Sequence, residues 1–355
     1  MFETRTSTVP ITKEMVKVAY RKVKANHGAA GIEKESLEVY QKDLLNNLYV
    51  LWNRLSSGSY FSKPLRSVSI PKNDGKQRTL GIPTVSDRIA QQVIKTYLEP
   101  RLEAEFDKNS YGYRSLKSAS QAVSAIQENV RQYAWVLDIN IKSFFDEVNR
   151  ELLMKALDRH VEEKWVTMYI LRWLETPAQQ QDGRPTKNQG KGTPQGGVIS
   201  PLLANLFLYY VRDKWITKHY ARVAFVRYAD DVFIHCQSEE EAKELLVAIR
   251  LRLAECKLSL NEAKTKLVYC RDYRREKKSF GKKFDFLGFT FKPCSIASKG
   301  GNGKLFLGYG CAISQSAQTR ITQGWAKLAS SKYYDDTGNS QLGKPTNEKY
   351  YKVLW

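Results

Sequence analysis

Val223-Ala224-Phe225-Val226-Arg227-Tyr228-Ala229-Asp230-Asp231-Val232-Phe233-Ile234 sets two apolar, β-branched and aromatic runs on either side of a short polar turn. That pattern predicts a β-hairpin with Asp230 and Asp231 at its tip. Two carboxylates held side by side repel each other, and each raises the other's proton affinity unless a cation neutralises them. A divalent-cation site for phosphoryl or nucleotidyl transfer is the reading that uses both acids. Paired Asp residues also serve ordinary surface turns, so the remaining sequence has to arbitrate.

The chain has 355 residues and a formal net charge of +20. That length supports two or three subdomains, and the basic surplus points to a polyanionic partner. A membrane role is disfavoured, because no apolar run approaches the roughly 18 residues of a span. Met1-Phe2-Glu3-Thr4-Arg5 lacks the apolar centre of a signal peptide. Cys236, Cys256, Cys270, Cys294 and Cys311 are scattered and form no C-x-x-C pair, as expected of reduced thiols in the cytoplasm. His27, His160, His219 and His235 lie far apart in sequence, which argues against a His-based metal site.

Helical periodicity covers Met15 to Val23, stopped at Asn26-His27-Gly28, and then Leu37 to Leu55, stopped at Ser56-Ser57-Gly58. Arg66 to Ile70 and Arg78 to Ile82 read as strands around the turn Asn73-Asp74-Gly75. Ser86 to Leu102, Ser118 to Arg131, Glu151 to Asp158, Val166 to Leu174 and Glu239 to Cys256 read as helices. Trp135 to Phe145, Leu258 to Tyr269 and Phe284 to Phe291 have strand character. Helices and strands mix without βαβ regularity, so the expected class is α+β.

Other segments carry chemistry. In a strand from Trp135, Asp138 and Asn140 share one face while Leu137, Ile139 and Ile141 share the other. A polar face on an otherwise apolar strand should meet metal, substrate or water. Ser200-Pro201 is a helix start, and Gly196-Gly197 just before it allows close backbone approach. Lys72 and Arg78 flank a hairpin able to point cations at a triphosphate.

Taken in order, these segments resemble a bacterial reverse transcriptase of the group II intron type, a maturase relative. The resemblance rests on Ile70-Pro71-Lys72 to Arg78, Leu80-Gly81-Ile82-Pro83, Tyr111-Gly112-Tyr113-Arg114, Phe144-Phe145-Asp146, Thr193-Pro194-Gln195-Gly196-Gly197, Tyr228-Ala229-Asp230-Asp231 and Phe286-Leu287-Gly288-Phe289. It implies an α+β right-hand polymerase with fingers, a ferredoxin-like palm and a partial thumb. The implied domains are 1–85 (N-terminal extension and fingers), 86–292 (palm, with fingers returning at about 103–132) and 293–355 (partial thumb and an atypical tail). It further implies two Mg²⁺ ions, with Mn²⁺ as an alternative, held by Asp230, Asp231 and the Ile141 backbone carbonyl. Lys72 and Arg78 would grip the dNTP triphosphate, and Phe145 would be the bulky gate against a ribose 2′-hydroxyl. Gln195 and Gly196 would hold the templating pair, and Lys264 would protonate the departing pyrophosphate. Implied partners are template and intron RNA, a DNA or RNA primer and dNTPs, with homodimerisation left open. The helices from Met15 to Leu55 match an RNA-contacting extension.

Two departures stand out. Asn140 occupies a position where the family pattern carries an Asp, so metal occupancy and turnover are expected to be impaired. Residues 327–355 do not resemble the helical maturase region, which suggests a truncated or frameshifted chain. Arg114 and the cationic stretch Arg271, Arg274, Arg275, Lys277 and Lys278 are expected RNA contacts. The reading is therefore an RNA-directed DNA polymerase of doubtful turnover, with an RNA-binding splicing helper of the same fold as the alternative.

Overall fold

A computed structural model describes residues 9–71, 77–180, 183–184, 190–276, 280–297 and 305–332, with 325–332 described as backbone only. Lys72, Lys277, Lys278 and the tail from 333 onward lie outside the described residues. In chain order the elements begin with α1 (Lys13–Ala25), α2 (Leu37–Lys42), α3 (Leu44–Ser56), β1 (Leu65–Pro71), β2 (Gln77–Ile82), α4 (Val85–Glu105) and α5 (Ala119–Gln132). Next come β3 (Trp135–Ile139), α6 (Phe144–Glu147), α7 (Arg150–Leu157), α8 (Lys164–Glu175), β4 (Ala178–Gln179) and α9 (Ser200–Leu208). A π-helical turn (Tyr209–Asp213) joins α9 to α10 (Lys214–His219). The chain continues with β5 (Ala224–Tyr228), β6 (Asp231–Cys236), α11 (Glu239–Glu255), β7 (Lys266–Tyr269), β8 (Phe284–Phe286), β9 (Phe289–Ala297), β10 (Leu305–Ile313) and α12 (Gln315–Lys332).

The central sheet has the order β5-β6-β3-β7, with antiparallel neighbours throughout. Its first strand in sequence sits between the third and the fourth, which is the ferredoxin-like arrangement. Period-two alternation gives the sheet two different faces. Trp135, Leu137, Ile139, Phe225, Val232 and Ile234 join the core formed with α7, α9 and α11. On the opposite face, Val136, Val226, Phe233 and Val268 meet α5 and the rings of Phe284, Phe286 and Phe291. Phe233 of β6 packs against Phe284 and Phe286 of β8, with centroids 5.1 and 4.9 Å away, which ties the β10-β9-β8 sheet to the central one. This is an α+β fold built around a ferredoxin-like sheet.

Several boundaries differ from the sequence reading. The helix expected over Leu37 to Leu55 breaks at Asp43, whose backbone leaves the helical region (φ −123°, ψ 48°). Asn46 donates to the Asp43 carboxylate, and Asn47 donates to the Tyr40 carbonyl, so side chains replace helical backbone bonds there. The strand expected to run to Phe145 ends at Ile139, because Ser143 turns left-handed (φ 44°) and starts α6. Within Leu258 to Tyr269 only Lys266–Tyr269 is a regular strand. The short parallel pairing of β4 with β1 has no signature in so brief a segment. No helix among the described residues is long and apolar enough to cross a membrane.

Candidate functional site

The β5–β6 register pairs Tyr228 with Asp231, which leaves Ala229-Asp230 as the turn. Ala229 is left-handed (φ 55°), a conformation a residue with a side chain keeps only when its surroundings impose it. The imposing groups are visible. Gly112 lies flush on the turn, where a Cβ would run into the Ala229 amide nitrogen. The Gly112 carbonyl accepts from Asn205 Nδ2 at 2.8 Å, and Asn205 Oδ1 accepts from Arg227 at 2.7 Å. The same Arg227 nitrogen donates to the Ala229 carbonyl at 3.1 Å. Arg227 also grips both oxygens of Asp213, at 2.6 to 3.0 Å. Arg227 and Asp213 are fully buried, and Asn205 is 1% exposed.

This brace was not anticipated from the sequence. Its one available signal was Asn205, a lone amide in the apolar run of α9. Asp213 reaches Arg227 from a π-turn, a shape that no local pattern announces. The loosened Tyr210 and Val211 carbonyls accept from Arg252 of α11.

Opposite the hairpin, Ile139 pairs with Val232, and continuing that register sets Asn140 across from Asp231. The Asn140 carbonyl accepts from the Asn261 amide, and the Lys142 amide donates to the Ser259 carbonyl. Ile141 and Leu260 therefore form a non-hydrogen-bonded antiparallel pair, in which the Ile141 carbonyl points away from the 259–261 segment. Asp138 lies on the same strand face as Asn140, one pleat (about 7 Å) away.

The electrostatics show how the acids interact. Burial, and next the charge of Asp230, push the Asp231 carboxyl up to about 6; Arg212 and Lys264 pull it the other way. Asp138 is pushed up to about 7, first by burial and then by Asp231, with Lys266 opposing. Asp231 and Asp138 thus feel each other. Among the described residues, however, no group of three or more His, Cys, Asp or Glu side chains is placed to hold a metal ion. Asp230, Asp231, the Asn140 amide and the Ile141 carbonyl are hard oxygen donors suited to Mg²⁺ or Mn²⁺. With only two anions in that set, these residues do not fit a centre built for a pair of dications.

Asp138 also gives a pH-dependent expectation. Its ordinary value is near 3.9, so between about pH 4 and 7 the unfolded chain has lost this proton while the folded chain keeps it. The unfolded state then binds fewer protons, and stability falls as pH rises through that window. Asp138→Asn should therefore stabilise the fold by ~2–4 kcal/mol at pH 8 and by nothing near pH 3.5. Urea titrations at the two pH values check this.

On the other side of the cleft, Arg78 Nε donates to Gln195 Oε1 at 2.6 Å, and Gln195 Nε2 donates to Asp146 at 2.9 Å. The Gly81 amide donates to the Gln195 carbonyl at 2.7 Å. Gly196 (φ 111°) meets this strand so closely that a Cβ would lie 2.7 Å from the Gly81 carbonyl. The Thr193 amide donates to the Phe145 carbonyl, which docks the same loop on the Phe144-Phe145-Asp146 turn. Phe144 is core, while Phe145 stays half-buried. Arg78, Asp146, Arg150, Lys191 and Gln195 line a cavity of about 460 Å³ there. Exposed Tyr113 (φ 56°) lies within electrostatic reach of Asp230, Asp231 and Arg78. Lys264 stands within electrostatic reach of Asp231.

The expected RNA contacts divide. Arg114 is corrected: its side chain is 6% exposed, paired with Glu103 and bonded to the Asp107 and Ser110 carbonyls, so it cross-links its own loop. Arg275 is likewise turned inward, donating to the Val130, Arg131 and Cys270 carbonyls. Cations belong at a helix C-terminus, and this one caps α5. Arg274 grips Asp272 and the Arg131 carbonyl but keeps half of its side chain exposed, over the Tyr273 ring. Arg271 is half-buried.

The family described as "Reverse transcriptase (RNA-dependent DNA polymerase)" matches residues 70–291. Protein YkfC of Escherichia coli (strain K12) is 32% identical over 290 residues, 69% of this chain and 73% of that protein. Group II intron-encoded protein LtrA of Lactococcus lactis subsp. cremoris is 29% identical over 202 residues, 56% of this chain but 33% of LtrA. Telomerase from Candida albicans, in a complex with a TWJ fragment of telomeric RNA, superimposes with a TM-score of 0.50 at 12% identity. That match covers 72% of this chain and 49% of the telomerase chain, and it is a likeness of fold alone. With the family match extending over most of its length, the chain belongs to the reverse transcriptase (RNA-dependent DNA polymerase) family.

Proposed function

We propose that this chain is an RNA-directed DNA polymerase of group II intron type that binds template and intron RNA, and whose nucleotidyl transfer is held far below its potential by Asn140. The carrying observation is the pairing of an intact Asp230-Asp231 hairpin with an amide at the facing position, where a third acid would complete the set. Arg78 and Gln195 are set to receive the incoming dNTP and its templating base, and Phe145 to exclude a ribose 2′-hydroxyl. Lys264 is assigned as the proton source for pyrophosphate. The net charge of +20 supports contact with the phosphates of the RNA and of a DNA or RNA primer. The lack, among the described residues, of a cluster of three His, Cys, Asp or Glu side chains also favours a second reading, a splicing helper that only binds RNA.

The test combines RNA affinity across a salt series with Mg²⁺-dependent primer extension on the same RNA. Tight binding that weakens with salt, by about 0.7 in log affinity per log salt for each phosphate contacted, is expected together with feeble extension. Salt-insensitive binding would remove the RNA partner from the account, and fast extension would remove the impairment.

A further inference from the structure

Arg212 lies in the π-helical turn, next to Asp213, with its side chain 2% exposed. Among the described residues, none of its three guanidinium nitrogens has a hydrogen-bond partner. Its nearest carboxylate is Asp213, at 3.8 Å from Nε, but both Asp213 oxygens are already held by Arg227. Two buried guanidiniums thus share one buried carboxylate, and one positive charge is left over. A buried cation without a hydrogen-bonded anion is strongly unfavourable unless other negative charge lies close by. The next carboxylates along the brace are Asp230 and Asp231. Arg227, which holds Asp213, also holds the Ala229 carbonyl of the turn that carries Asp230 and Asp231. The field of Arg212 reaches both of those acids.

We propose that Arg212 is the built-in counter-ion of the Asp230-Asp231 pair, a fixed cation beneath the hairpin that does electrostatically what a bound metal ion would do from above. The hairpin then keeps its shape without metal, and divalent cations bind to it weakly because part of its negative charge is already compensated. This deepens the reading of an impaired centre, since Asn140 removes an anion from one side while Arg212 supplies a cation from the other. Arg212 is a positioning residue and touches no reacting atom.

The experiment uses Mn²⁺ as the probe, followed by the EPR signal of free Mn²⁺ and by thermal unfolding in chelator and in excess Mn²⁺. The parent chain should unfold at the same temperature in both conditions and bind Mn²⁺ weakly. Arg212→Met should bind Mn²⁺ about tenfold more tightly, a change of ~1.4 kcal/mol, and should become more stable when Mn²⁺ is added. Arg212→Lys, which keeps the charge, should behave like the parent. Equal Mn²⁺ affinity in the parent and Arg212→Met would overturn the proposal. If Arg212→Met does not fold, the parent alone decides: a clear rise in its unfolding temperature with Mn²⁺ would mean that metal, not Arg212, neutralises the pair. Neither readout involves primer extension, so this inference can fail while the proposed polymerase function stands, and the reverse.

Discussion

Asp213→Ala is expected to destabilise the protein by ~3–5 kcal/mol, because it removes the one carboxylate that pairs directly with the buried Arg227 and Arg212 guanidiniums among the described residues. Arg227 is fully buried, and its remaining bonds to Asn205 and the Ala229 carbonyl are to neutral acceptors. The loss should not be confined to stability. Ala229 is held left-handed by this brace, so once Arg227 shifts, the turn relaxes and Asp231 no longer sits opposite Asn140. Guanidinium chloride titration reads the first effect. Because removing a whole buried ion pair can be nearly neutral, Asp213→Leu combined with Arg227→Met should recover much of the loss. A loss below about 1 kcal/mol in Asp213→Ala would show that water or a neighbouring group already serves these guanidiniums.

The hairpin at Asp230 was legible because it depends on local alternation and turn chemistry, which the residues from Val223 to Ile234 state without ambiguity. Helices near Met15, Ser118 and Glu239 were legible from periodicity, and in the structure Thr12, Ser118 and Ser238 each cap their own helix through a bond three residues long. What sequence could not show is long-range. Asn205 and Asp213 lie on the α9–π-turn stretch and Gly112 on a distant loop, and only their shared contact with the Arg227 hairpin gives them meaning. The inward turn of Arg114 and Arg275 was hidden for the same reason: a guanidinium looks solvated in sequence until the carbonyls it satisfies are known. The end of β3 was missed because Phe144-Phe145 reads as strand by propensity, while Ser143 turns the chain and buries only the first ring.

The second large effect concerns Asn140. An amide oxygen can coordinate Mg²⁺, yet it adds no charge, and Asp138 stands a pleat away with its proton held up to about pH 7. Placing a carboxylate at 140 puts a third anion opposite Asp231, on backbone already pinned by Asn261 and Thr265. Replacing one group in a preorganised electrostatic site commonly changes turnover by about 10²–10³-fold, or ~2.7–4 kcal/mol in the barrier. RNA affinity should not move, since position 140 lies in the cleft floor and RNA binding is expected to rest on phosphate contacts.

The measurement to make is single-nucleotide incorporation on an RNA template by the Asn140→Asp protein and its parent, with RNA affinity determined on both. The account predicts a rate about 100-fold or more higher for Asn140→Asp at unchanged RNA affinity. Equal rates would contradict it, and would shift the missing carboxylate's role to Asp138.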